Sequence, residues 1–204
     1  MKKVLFTAVA VLGFTFANAQ EEATTFGFAE GDVFVEGNLG FNSTNDKNTE
    51  LKTNSFEFNP KAGYFLTEKL AVGVELMVGS YKEQISGTDL SKESNFGAGV
   101  FARYYFLDLG ERFKTYAEAG LGFSSGKDEF FPGEAKYSGV GAGAGLGIQY
   151  FATSNIAINF GLSDVLSYTS VKADGSKNVS EFNANLNVFN NFFAAAQFGV
   201  TYKF

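Results

Sequence analysis

The chain has 204 residues and a formal net charge of −6, with 25 Phe, 24 Gly and 9 Tyr, and it contains no Cys, His or Trp. Without Cys or His it offers no thiolate or imidazole metal site, no disulfide frame and no Ser-His-Asp or Cys-His nucleophile, so no cofactor is expected. The acidic balance argues against a nucleic-acid partner, whose phosphates need clustered Lys and Arg. What remains unusual for a soluble core is the joint surplus of Phe and Gly.

At the N-terminus Lys2 and Lys3 precede an apolar stretch from Val4 to Phe16, and Ala17-Asn18-Ala19 fits a small-x-small cleavage pattern. Residues 1–19 therefore read as a signal peptide cut before Gln20, too short in its apolar run for a transmembrane helix. No Cys follows the cut, so a lipoprotein anchor is excluded. Residues 20–31 read as a short leading segment and residues 32–204 as the folded domain.

From there the chain alternates with period two, the mark of strands with two unlike faces. Val33, Val35, Leu39 and Phe41 share one face of the first segment against Glu36, Asn38 and Gly40. Phe56, Phe58, Ala62 and Tyr64 oppose Glu57, Asn59, Lys61 and Gly63 in the second. The third sets Leu70, Val72, Val74, Leu76 and Val78 against Ala71, Gly73, Glu75 and Met77. In the fourth, Phe96, Ala98, Val100, Tyr104 and Phe106 oppose Gly97, Gly99, Phe101, Arg103 and Tyr105. Ala117, Leu121 and Phe123 then oppose Tyr116, Glu118 and Gly120. Val140 to Tyr150 runs against an unbroken ladder of Gly139, Gly141, Gly143, Gly145 and Gly147. Ile156, Ile158, Phe160 and Leu162 form the apolar face of the seventh. The eighth begins near Phe182 and ends at Phe204, long enough to predict a bulge or break near Asn190-Asn191.

Links of two kinds alternate. Residues 43–53, 82–94, 125–136 and 170–181 are polar and read as long loops, whereas 67–69, 107–113 and 152–155 are short. The 107–113 link has room for a short turn of helix. An up-and-down meander gives this alternation when one end is trimmed to tight turns and the other faces outside.

The two faces indicate their surroundings. The polar face is mostly Gly, Ala, Ser and Asn, suited to a crowded interior, and the apolar face carries almost no charge. Tyr64, Tyr104, Phe106, Tyr150, Tyr202 and Phe204 fall at the short-turn rim, and Phe41, Phe56, Phe96 and Phe123 at the opposite rim, all of apolar parity. Two aromatic girdles around an aliphatic band predict an all-β fold, an eight-stranded antiparallel up-and-down transmembrane β-barrel. A soluble barrel with an apolar interior is the competing fold.

The sequence resembles the small outer-membrane β-barrel domain family, the porin-like and opacity-antigen-like group. The likeness is carried by Phe28 to Gly40, by Pro60-Lys61-Ala62-Gly63-Tyr64-Phe65-Leu66 with Leu70-Ala71-Val72-Gly73, and by the terminal Phe198-Gly199-Val200-Thr201-Tyr202-Lys203-Phe204. It implies a bacterial outer-membrane location, with residues 20–31 as a short periplasmic N-terminal segment. The terminal motif is similar to the assembly signal read by the barrel assembly machinery, with Tyr202 and Phe204 as its key residues and periplasmic chaperones as partners during biogenesis. Outer-membrane lipid and lipopolysaccharide are the expected surroundings. The chain stops at its last strand, so no peptidoglycan-binding domain is expected to follow.

Inside such a barrel, Glu36, Lys61, Glu75, Arg103 and Glu118 point inward at similar depth. They predict one layer of ion pairs with Arg103 as hub, since its fork binds two carboxylates. That layer either satisfies itself and blocks the bore or forms a gate in a narrow ion path. The glycine ladder either makes room for Phe101, Tyr105, Tyr116 and Met77 or borders a small ligand cavity. Asp164 breaks parity, which places it above the membrane or calls for a bulge near Ser163. Phe130-Phe131-Pro132 is an apolar loop tip, with Phe130 and Phe131 as loop contacts for an extracellular partner or packed back onto the barrel mouth. These features predict a structural or surface-interaction protein without catalysis. The alternative is a narrow passive channel or a conduit for small hydrophobic solutes.

Overall fold

A computed structural model describes residues 25–130, 133–185 and 197–204. The expected signal peptide with its cleavage point, Phe131 and the expected break at Asn190-Asn191 lie outside the described residues. Seven long strands follow one another: β1 (Val33–Asp46), β2 (Leu51–Phe65), β3 (Leu70–Ile85), β4 (Thr88–Leu109), β5 (Phe113–Phe130), β6 (Gly133–Phe151) and β7 (Ile156–Ala173). β8 (Val179–Ala184) and β9 (Gln197–Lys203) complete the sheet.

Every neighbouring pair is antiparallel. β1 to β7 pair in sequence order, β9 pairs with β7 from Ile156↔Tyr202 to Gly161↔Gln197, and β9 also pairs with β1 from Phe34↔Lys203 to Leu39↔Phe198. β8 lies on the same side of β7 as β9, further along, from Leu166↔Ala184 to Val171↔Val179. Both pieces therefore occupy one position in the circuit, and the sheet is a closed eight-stranded barrel. Closure is what hydrocarbon demands, since an open sheet edge would leave N–H and C=O groups without partners.

The outer face is apolar and open. Leu39, Val74, Leu76, Val100, Leu121, Val140, Ile158 and Val200 are exposed between the two aromatic rims. At the rim opposite the short turns, the outward Phe41, Phe56, Phe96 and Phe123 are joined by Tyr168 and Phe182, which stand opposite each other in the register of β7 and β8. β7 changes parity twice, so the two changes cancel at Tyr168, which keeps the outward parity of Ile156 and Ile158, and only the stretch between them is reversed. Leu162 and Val165 are each skipped in its pairing with β6, and the two bulges turn Asp164 to the inner face, opposite Gly145.

Two expectations about the links are corrected. The long polar links are mostly strand: β2 starts at Leu51, β3 runs to Ile85, β5 to Phe130 and β7 to Ala173. Their polar residues keep alternating, and water beyond the membrane accepts polar side chains on both faces of a hairpin. The β3–β4 hairpin turns on Ser86 (φ 47°) and Gly87 (φ 81°), both in the left-handed region as a type I′ turn requires. The 107–113 link holds no helix. β4 and β5 run almost to meeting, and Gly110 (φ 75°) makes the turn. The other short turns share one device: Thr67 Oγ1 accepts from Lys69 and Leu70 N–H, and Thr153 Oγ1 from Asn155 and Ile156 N–H.

Beside the β3–β4 turn, Asp89 meets Lys92 (2.7 Å) and Lys82 (2.9 Å) and accepts from Gln84 (2.6 Å). Hydrogen bonds from Lys92 and Lys82 hold its carboxyl well below the ordinary aspartate range. A depressed folded pKa means the clamp is fully present above the unfolded value of about 3.9 and is lost only as pH falls through the lower folded value. Amide protection at this hairpin tip, the exchange rate relative to its intrinsic value at each pH, is therefore expected to stay constant from neutral pH to about 4 and to fall only in stronger acid. Asp89→Asn is expected to quicken exchange at neutral pH and to remove that acid step. Loss of protection already near pH 5 in the unaltered chain would contradict the assignment.

Candidate functional site in the barrel lumen

Period two sends Glu36, Lys61, Glu75, Arg103 and Glu118 inward, and the register sets opposite charges face to face: Glu36↔Lys61, Lys61↔Glu75 and Arg103↔Glu118. The side chains join into one network. Arg103 donates from Nη1 and Nη2 to the two oxygens of Glu36 (2.7 and 3.0 Å) and from Nε to Glu118 (2.7 Å). Lys61 pairs with Glu75 at 3.1 Å and with Glu118. Arg103 is 1% exposed and lies over the Tyr116 ring at 4.3 Å. Its planar guanidinium bonds carboxylates at its edge and stacks an aromatic on its face, which an ammonium does not do.

Sequence reasoning missed the polar residues that complete this layer. Asn38 donates to Glu36 Oε1 (2.9 Å) and the Thr201 hydroxyl to Glu36 Oε2 (3.0 Å). Thr201 in turn accepts from Gln149 (2.9 Å) and Asn159 (2.6 Å), and the Tyr105 hydroxyl donates to Gln149 Oε1 (2.7 Å). Glu36, Gln149, Asn159 and Thr201 are all buried. The signal was present in the inward parity of Gln149, Asn159 and Thr201, three uncharged polar residues among glycines.

Toward the short turns the lumen is filled by rings. Phe34, Phe65, Phe101, Tyr105 and Tyr116 form one buried cluster. Phe28, from the segment before β1, stacks on Phe65 (centroids 4.0 Å apart, 16° between planes) and reaches Tyr105 (5.1 Å) and Phe151 (5.2 Å). Lys203 secures that segment by donating to the Gly27 carbonyl (2.8 Å). Phe28 lies outside any alternating segment, so no periodicity marks it.

Toward the long hairpins the lumen opens into a cavity of about 430 Å³ bordered by Glu75, Glu118, Met77, Gly141, Gly143 and Asp164. The glycine ladder serves both regions. A Cβ on Gly147 would overlap the Tyr116 ring, whereas one on Gly141 would meet nothing nearer than 3.6 Å. The lower rung makes room for an aromatic, and the upper rungs widen the cavity.

The remaining singled-out residues lie elsewhere. Tyr202 and Phe204 stack edge to face (4.9 Å) at the outer short-turn rim, and Phe204 N–H donates to the Val33 carbonyl (2.9 Å). Phe130 ends β5 and is exposed at the far tip, away from the lumenal network.

Arg103→Ala is expected to lower barrel stability by about 3–5 kcal/mol, because it strands Glu36 in a buried site. Arg103→Lys restores one ion pair and is expected to recover part of that loss. Gly147→Val is expected to cost about 1–3 kcal/mol by driving Tyr116 from its place against Arg103. Urea unfolding in lipid bilayers measures all three, and an Arg103→Ala barrel as stable as the parent would refute the central role of the network.

Three comparisons bear on identity. Outer membrane porin F of Pseudomonas fluorescens is 30% identical over 145 residues, which is 69% of this chain and 44% of that protein. This chain thus spans less than half the length of that relative. Neisserial surface protein A superimposes with a TM-score of 0.51 at 19% identity, over 85% of this chain and 96% of that one. OprG of Pseudomonas aeruginosa gives 0.51 at 14% identity, over 87% and 98%. At such identities the two structures speak for the fold. Residues 6–204 match the outer membrane protein beta-barrel domain family, and the chain belongs to that family of bacterial outer-membrane barrels.

Proposed function

We propose that this barrel is a closed, non-enzymatic scaffold that acts at the cell surface through its extracellular hairpins. The observation that carries this reading is the packing of the periplasmic half of the lumen, where Arg103, Glu36, Gln149, Phe34, Phe65 and Phe151 are all buried. An eight-stranded barrel is just wide enough for side chains to fill. The absence of His and Cys from the sequence supports a role without catalysis. The exposed Phe130 supports contact with an extracellular partner, and the rim position of Tyr202 and Phe204 suits an edge read during assembly.

A second reading, a narrow passive channel or hydrophobic-solute conduit, draws on the cavity that descends to Glu75 and Glu118. Planar-bilayer recordings separate the two. The closed scaffold is expected to show no steady conductance, either in the parent or in Arg103→Ala, since the aromatic layer remains. Steady openings in the parent that change in Arg103→Ala would replace it with the channel. Deleting 128–133 is expected to reduce surface binding while keeping the heat-dependent electrophoretic shift of a folded barrel. Unchanged binding would count against the hairpin role.

A further inference from the structure

The outer wall carries a regularity that only the register makes visible. From β2 to β7, each strand bears one lysine on its outward face, four residues beyond an outward residue of the extracellular rim. The pairs are Lys52 with Phe56, Lys82 with Val78, Lys92 with Phe96, Lys127 with Phe123, Lys136 with Val140 and Lys172 with Tyr168. Four residues of strand span roughly 13 Å, or about 10 Å of height once the strand tilt is allowed for. The six ammonium groups therefore form a belt just above the aromatic girdle. Long lysine stems can bend back toward that level.

Charge is divided between the two faces of the same segments. Glu57, Glu83, Glu93 and Asp128 stand on the inner face, where Tyr137 bonds Glu93 and Ser91 donates to Asp128 (2.9 Å). On the long-hairpin side of the Lys61 and Arg103 level, the inner face carries no lysine or arginine among the described strand residues. The outer face is the basic one, and it holds a local cost. Lys82 stands directly opposite Lys92, and Lys127 opposite Lys136. Like charges placed so repel each other. Asp89 offsets the first pair, and Glu129 (2.7 Å) and Glu134 (3.0 Å) engage Lys127. Lys52, Lys136 and Lys172 form no ion pair among the described residues.

We propose that this belt is a binding surface for the phosphate groups of the glycolipid in the outer leaflet of the membrane. The belt is continuous with the apolar wall that the acyl chains already cover, so the occupant must be a lipid whose anionic group sits at headgroup height. Asp89 gives one charge to two lysines, and Lys52, Lys136 and Lys172 have no ion pair of their own among the described residues. Phosphate oxygens supply that remaining counter-charge, and each lysine adds attraction that salt weakens. The inference rests on the membrane location of the barrel and holds whether or not the lumen conducts.

The test uses the folded barrel in phosphatidylcholine nanodiscs containing lipid A, either with its phosphates or with both removed, and counts retained lipid A by native mass spectrometry. The parent is expected to retain the phosphorylated form roughly ten-fold better, with the preference shrinking as salt rises. Substituting Lys82, Lys92, Lys127 and Lys136 together by Gln is expected to bring the ratio close to one. Lys47→Gln with Lys177→Gln, in the hairpin turns, is expected to leave it unchanged. Equal retention of both forms by the parent, a salt-insensitive preference, an undiminished ratio in the fourfold variant, or an equal fall in the turn variant would each overturn the proposal. Should the fourfold variant fail to fold, Lys136→Gln alone must still lower the ratio about two-fold, and no change there overturns it as well.

Discussion

Hydrocarbon offers no partner to a backbone N–H or C=O, and this one fact organises the molecule. Each strand must be hydrogen-bonded on both sides, so the last must find the first, and β9 closes on β1 through Phe34↔Lys203 to Leu39↔Phe198. Closure at eight strands fixes a narrow bore. The narrow bore decides which side chains fit inside, and the lipid decides which are welcome outside. The surplus of both Phe and Gly follows from these two demands, with Phe mainly on the outer wall and rims and Gly mainly on the inner.

A narrow bore also makes the lumenal charges interdependent. Glu36 accepts from Arg103, Asn38 and Thr201, and Arg103 reaches both Glu36 and Glu118. Removing any one member leaves a charge or a lone pair in a site that water does not readily reach. The rings beneath do the complementary job: Tyr116 lies against the guanidinium and packs against the Tyr105 ring. Electrostatics and packing thus meet at the same residues, and loss of one weakens the other.

Much of the fold was legible because the period of two leaves only one choice per strand, inward or outward. The parity of Glu36, Lys61, Glu75, Arg103 and Glu118 and their distances from the short turns sufficed to group them. What escaped lay where parity fails or carries no information. The two bulges in β7 reverse it between them, hiding Asp164. The hairpin extensions are polar on both faces, so their strand character has no hydrophobic signature. Phe28 precedes the first alternation. The lysine belt needs neighbouring strands to be aligned, which no single segment reveals.

Phe28 has a further consequence. It belongs to the segment before β1, yet its ring rests on Phe65 of β2, Tyr105 of β4 and Phe151 of β6. These walls come from alternate strands and form one pocket only where the sheet has curled round, so the seat of the stopper depends on the curled sheet rather than on any one hairpin. An incompletely closed barrel therefore has an unstoppered lower end, with the Arg103 layer open to water from below. Packing of the lower lumen in this protein is a property of the finished ring.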